Sequence, residues 1–309
     1  MISVALRVAS DEKACNLLNF PPISPEVFSV SVFGVDLSLR WYSLAYLVGF
    51  ILAYAIAKHF VRRDYVWRNN TAPMDPEQIG DFISTLVLGV IIGGRLGYVF
   101  FYNIEYFISN PFAIFRLWEG GMSFHGGFSG VVIALILFCK RNGVPILQAA
   151  DLIAVASPPG LFFGRIANFI NAELWGKPTS VAWGVVFPGE AAQTCQGVTG
   201  PCARHPSQLY EAGLEGILLL IVILICIRMG AFKKPGFVSG LFITGYGLSR
   251  YFVEFYRVPD AQFFTNDNPY GYAYEFVGLG VTMGQALSVP MILVGGVFMV
   301  TAIMKSRYR

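Results

Sequence analysis

Seven blocks of mostly apolar residues, nearly free of charge and most of them close to twenty residues long, leave this chain few ways to fold. They run from Trp41 to Phe60, Ile79 to Phe101, Gly126 to Cys139, Asp151 to Ile170, Gln208 to Ile227, Gly236 to Phe255 and Gln285 to Ile303. At 1.5 Å per helical residue, about twenty residues cross a hydrocarbon core about 30 Å thick. The blocks therefore read as membrane spans, the third being short unless residues around His125 join it. The chain is 55% hydrophobic and only 13% charged, against about 25% charged for an ordinary soluble domain. That excludes a water-soluble globule. The 33 glycines and 17 prolines follow no period and no heptad persists, which excludes collagen and coiled coil. The expected fold class is all-α integral membrane, with about seven transmembrane helices.

Orientation follows from basic residues at the span ends. Lys58, Arg62 and Arg63 follow the first span, Lys140 and Arg141 the third, Arg228, Lys233 and Lys234 the fifth, and Lys305, Arg307 and Arg309 the last. Alternating spans bring all four clusters to one side, and the positive-inside rule makes that side cytoplasmic. The N-terminus is then outside and the C-terminus cytoplasmic. Residues 1–40 form an N-terminal extracytoplasmic segment, without the pattern of a removable signal peptide. Residues 41–309 form the transmembrane unit, with a small extracytoplasmic head at about 171–207 rich in Gly, Pro and Trp. Cys195 and Cys202 lie in the head, as a disulfide or as two free thiols. The five cysteines make no CxxC pair and His59, His125 and His205 are far apart, so neither metal nor cofactor is expected. Nucleic acid has no support as a partner.

Charges within apolar spans carry the functional signal, because each costs a few kcal/mol at mid-bilayer. Arg95, Arg165 and Arg250 lie in the outer parts of even-numbered spans, where they are placed to converge at similar depth. The plain alternative for each is snorkelling or a tie between helices. Arg165 and Asn168 share a helical face, with Asn171 near it and Glu173 just beyond. A guanidinium beside amides suits an anionic oxygen-rich group such as a phosphodiester. Tyr246, Arg250 and Glu254 form a second stripe at i, i+4 and i+8, with Arg257, Pro259 and Asp260 beyond. Arg250 and Glu254 can equally be an intrahelical pair that neutralises a required charge. The segment Arg204 to Glu211 opens the fifth span, where Pro206 suits a helix start. His125 lies in a glycine-flanked run, and its imidazole can take a proton at physiological pH; hydrogen bonding to a neighbouring helix is the bland alternative. Gly89, Gly93 and Gly97 recur every four residues and read as close helix packing.

Together, His125-Gly126-Gly127, the run from Gly164 to Gly176, the segment Arg204 to Glu211 and the stripe from Tyr246 to Asp260 resemble the prolipoprotein diacylglyceryl transferase family, from about Trp41 to the C-terminus. The resemblance implies a multi-pass enzyme of the bacterial inner membrane with its active site toward the extracytoplasmic side. It would move the diacylglyceryl group of phosphatidylglycerol to the lipobox cysteine of a preprolipoprotein signal peptide, with membrane lipids as further partners. A thioether would form and glycerol-1-phosphate would leave. By matching motif, it implies His125, Arg165 and Arg250 as catalytic, and Tyr42, Arg95, Asn168, Asn171, Glu173, Gly176, Tyr246 and Glu254 as substrate-binding. Cys15 has no apolar lipobox before it and does not read as a self-lipidation site. The competing reading is a membrane transporter for an anionic phosphorylated solute, using the same arginines. An acyltransferase or phosphotransferase would call for acid-rich or metal-binding motifs, which are not seen here.

Overall fold

The computed structural model describes residues 18–32, 35–195, 200–259, 261–265, 268, 270–276 and 279–307. Cys15 and Asp260 lie outside them. The chain is mostly helical, and we label its long helices α1 (Trp41–Val61), α2 (Gln78–Tyr102), α3 (Phe124–Asn142), α4 (Ile146–Ile170), α5 (Ser207–Arg228), α6 (Phe237–Val253) and α7 (Met283–Arg307). All but α6 are long and apolar enough to cross a membrane. The third expected span is not short: α3 begins at Phe124, after a Ser123 cap that accepts from the Gly126 N–H, and reaches 19 residues. Helix α6 has 17 residues, roughly 25 Å at 1.5 Å each.

Helix α4 is the most enclosed of the six and packs against α1, α5 and α6; α7 lies against α6. Helices α2 and α3 form a separate close pair. A Cβ added at Gly93 would strike the Gly126 carbonyl, and one at Gly130 the Gly89 carbonyl. The glycine repeat is thus a backbone-to-backbone contact between helices. Asp151, fully buried in α4, caps α6 from outside it: its carboxylate accepts from the N–H groups of Gly236 (2.7 Å) and Ser239 (2.7 Å) and from the Ser239 hydroxyl (2.8 Å). This satisfies donors that a helix start leaves open.

At the basic ends of the helices the core is aromatic, with Trp67 stacked on Phe232 at 4.1 Å and donating to the Phe60 carbonyl. At the other ends sits the head. Its Cys195 and Cys202 form a disulfide. Buried Arg204 lies over the Trp175 ring and donates to the carbonyls of Ala192, Gly176 and Thr194. The strand Leu18–Asn19 pairs with Val185–Val186, so the described part of the N-terminal segment is tied to the head. The hairpin Glu26–Val32 and Val35–Arg40 then leads into α1. Between α2 and α3, a short helix and two turns expose Phe112, Phe115 and Trp118, as aromatic residues at a membrane–water interface often are.

Candidate active site

The end of α4 and the start of α5 face each other, and their sequence places charge on the facing stripes. Glu211 and Glu215 are fully buried. They lie four residues apart on one face of α5, and residues Ala212–Leu218 between and beyond them form a π-helical turn, a rare feature that often marks functional sites. Gly216 on that turn lets α5 approach α4 closely, since a Cβ there would meet the backbone of Phe162.

Arg165 reaches both carboxylates, at 3.1 Å to Glu211 and 3.2 Å to Glu215. From α6, Arg250 meets the other Glu211 oxygen at 2.7 Å and Glu254 at 2.9 Å. Arg257, just past α6, meets Glu211 at 3.1 Å. Glu211 therefore joins three guanidiniums. Tyr246 lies within electrostatic reach of Arg165, Glu215, Arg250 and Glu211. From the residue before α7, the Thr282 hydroxyl donates to Glu254 at 3.1 Å, while Thr282 and Gln285 cap each other.

Three arginines face three glutamates, and the exposure is uneven. Arg165 and Arg250 remain 18% and 20% exposed while Glu211 and Glu215 are at 0%. The carboxylates form the floor and the arginine side chains the partly exposed surface. A guanidinium carries five N–H donors, and those not spent on the floor are available to an incoming oxyanion.

A second polar group adjoins the first, one turn along α4. Asn168 and the Tyr42 hydroxyl both donate to Glu173, Tyr42 also accepts from Asn168, and Asn171 lies alongside. Gln208, one turn before Glu211, donates to the Glu173 carbonyl. Gly176 stands where the head meets the end of α6; its N–H donates to the His205 carbonyl, and a Cβ would meet the Tyr256 carbonyl. Above it the Trp183 indole donates to the Tyr210 hydroxyl, which pairs with His205 Nδ1 at 3.0 Å. Burial, and then Lys177, hold the His205 imidazole below its ordinary range. Burial likewise pulls Lys177 down, opposed by Glu254.

Of the expected site residues, Arg165, Arg250, Tyr246 and Glu254 meet in the first group, and Tyr42, Asn168, Asn171 and Glu173 in the second. Arg95 does not converge with Arg165 and Arg250. Its donors go instead to the carbonyls of Ala113, Ile114, Arg116, Gly120 and Gly121, and its guanidinium lies over Phe107. It ties down the segment between α2 and α3. His125, in the first turn of α3, is exposed beside Phe124 and makes no hydrogen bond or ion pair to the arginine group among the described residues. Glu211, Glu215 and Arg257 were missing from the expected site. The signal was present: two acids four residues apart within an apolar span cost as much as the arginines that were singled out.

These features define a class of protein, a polytopic membrane protein whose helix ends gather three arginines on three glutamates beside a disulfide-closed segment. Residues 29–301 match the prolipoprotein diacylglyceryl transferase family. The chain is 56% identical to a phosphatidylglycerol–prolipoprotein diacylglyceryl transferase of Cereibacter sphaeroides, covering 92% of this chain and 97% of the relative. It is 54% identical to that of Ruegeria pomeroyi, with 93% and 97% covered. To that of Bradyrhizobium diazoefficiens it is 46% identical, with 95% and 96% covered. The chain belongs to the prolipoprotein diacylglyceryl transferase family. None of these relatives carries a transporter's name, so the transport reading is not favoured.

Proposed function

We propose that this chain transfers the diacylglyceryl group of phosphatidylglycerol to the lipobox cysteine thiol of a preprolipoprotein, in the bacterial inner membrane. The observation that carries the reading is the meeting of Arg165 and Arg250 on one buried carboxylate, Glu211, with both arginine side chains partly exposed. In the reaction, cysteine sulfur attacks the diacylglyceryl carbon bonded to phosphate oxygen. The C–S bond forms, the C–O bond breaks, and glycerol-1-phosphate leaves with the bonding electron pair.

Negative charge grows on the departing phosphate oxygens. Guanidinium donors already fixed in position stabilise that charge most in the transition state, and losing one such donor typically costs about 3 to 4 kcal/mol. In this proposal Arg165 and Arg250 bind the phosphate, with Arg257 beside them. Glu211, Glu215 and Glu254 hold the three in place. Tyr42, Asn168, Asn171 and Glu173 keep the end of α4 against α1, and Gly176 seats the head on α6. The sulfur must become thiolate, and free cysteine is mostly protonated at neutral pH. His125, exposed and unpaired among the described residues, takes that proton.

The topology proposed with this function has seven spans, because 17 residues is within the range that crosses a bilayer. The N-terminus and head face outward and the basic helix ends face the cytoplasm. The test is purified protein in phosphatidylglycerol vesicles with a lipobox peptide, read by mass spectrometry. A peptide heavier by one diacylglyceryl group is expected. Phosphorylated-solute uptake without lipid consumption would overturn the reading.

A further inference from the structure

The helix ends opposite the arginine–glutamate group carry basic side chains that no ion pair engages among the described residues. A cavity of about 530 Å³ opens there, lined by His59 and Arg63 at the end of α1, Arg228 at the end of α5 and Lys233 in the turn before α6. Phe60, Leu224 and Ile227 supply its apolar side, and no carboxylate lines it. Among the described residues no ion pair engages any of these four side chains. The acid in the adjoining turn, Asp64, accepts from the Ala72 backbone N–H instead. The contrast with the other end is physical: there every arginine of the group meets a buried glutamate.

The helix dipole accounts for one cation near each helix C-terminus. It does not bring four basic side chains from three chain segments around one hollow with an apolar wall. Arg228 lies 17 residues beyond Glu211, roughly 25 Å at 1.5 Å per residue, so the cavity is separate from the candidate active site. Basic side chains above an apolar wall at the end of a helix bundle match a phosphodiester joined to a glycerol backbone and acyl chains.

We propose that this cavity binds the headgroup of an anionic phospholipid in the leaflet at the basic helix ends, a lipid distinct from the one that reacts. Arg63, Arg228 and Lys233 hold the phosphodiester, and the glycerol backbone lies against Phe60 and Leu224. The inference does not depend on the transferase reading.

The test uses the full chain in a non-ionic detergent, titrated with dioleoyl phosphatidylserine and read by native mass spectrometry. A saturable adduct is expected that dioleoyl phosphatidylcholine does not displace. Arg228→Gln and Lys233→Gln each weaken it about fivefold, and R63Q/R228Q/K233Q at least about tenfold. Lys140 and Arg141 follow α3 on the same side but do not line the cavity, so K140Q/R141Q binds as the unchanged protein does. Equal weakening in K140Q/R141Q would reduce the effect to diffuse surface charge and overturn the site. Unchanged affinity in the triple variant would overturn it too. Displacement by inorganic phosphate at the lipid's own concentration would make the ligand a free phosphate and remove the lipid assignment. If the triple variant misfolds by circular dichroism, the two single variants decide.

Discussion

Replacing Glu211 by glutamine removes the one carboxylate shared by Arg165, Arg250 and Arg257 while keeping the side-chain shape. Truncating one partner of a buried ion pair costs about 3–5 kcal/mol, because the remaining charge is left uncompensated. The lower end applies here. Arg165 retains Glu215, Arg250 and Arg257 retain Glu254, and the three arginine side chains keep 13–20% exposure. About 3 kcal/mol corresponds to roughly 150-fold in an equilibrium or a rate. The expected outcome is a thermal midpoint below that of the unchanged protein and a kcat/KM for diacylglyceryl transfer reduced by about 100-fold or more. A measurement at saturating phosphatidylglycerol separates the two components. Misplaced guanidiniums lower kcat as well as raising KM, whereas a merely structural role changes the midpoint and leaves kcat per folded molecule intact. Unchanged turnover and unchanged midpoint in Glu211→Gln would refute the reasoning.

His125→Gln is expected to lower turnover steeply in the same transfer assay; unchanged turnover would leave thiol activation to the arginines alone. Gly176→Ala forces a Cβ against the Tyr256 carbonyl and the His205 backbone, and overpacking of this kind costs about 1–3 kcal/mol; thermal unfolding should show a lower midpoint, with transfer reduced in parallel. His205 is held below its ordinary value in the folded chain by burial and Lys177, so between its folded value and the unfolded value near 6.5 the unfolded chain binds more protons. Stability therefore falls as pH drops through about 6.5, and the drop between pH 7.5 and 5.5 should be smaller in His205→Gln; equal slopes in differential scanning fluorimetry would contradict this.

Much of the architecture was legible in the residues because hydrocarbon imposes length and polarity on a helix more strictly than water does. Six of the seven apolar blocks became helices long enough to span, and the glycine repeat in α2, read as close helix packing, proves to pack on α3. The Arg250–Glu254 pair was readable from helical periodicity, whereas Arg165 and Asn168, read as sharing a face, engage different partners. What periodicity does not reveal is partnership across helices. Arg95 carried the same signal as Arg165, yet its donors close onto carbonyls of a neighbouring segment. Glu211 and Glu215 were legible as charges in an apolar span, but attention to cations passed over the anions that hold them. The state of Cys195 and Cys202 depends on the path of the head loop, which spacing alone does not fix; they are joined.

The central claim is that the guanidiniums of Arg165 and Arg250 together hold the headgroup phosphate. Magic-angle-spinning NMR of ¹⁵N-arginine-labelled protein reconstituted with phosphatidylglycerol measures this directly, through ³¹P dephasing of guanidinium nitrogen signals. In R63Q/R228Q, which removes the arginines of the second cavity, two signals should still dephase strongly, and adding Arg165→Gln or Arg250→Gln should remove one of them each. Signals that persist after both additions, or none in R63Q/R228Q, would contradict the account.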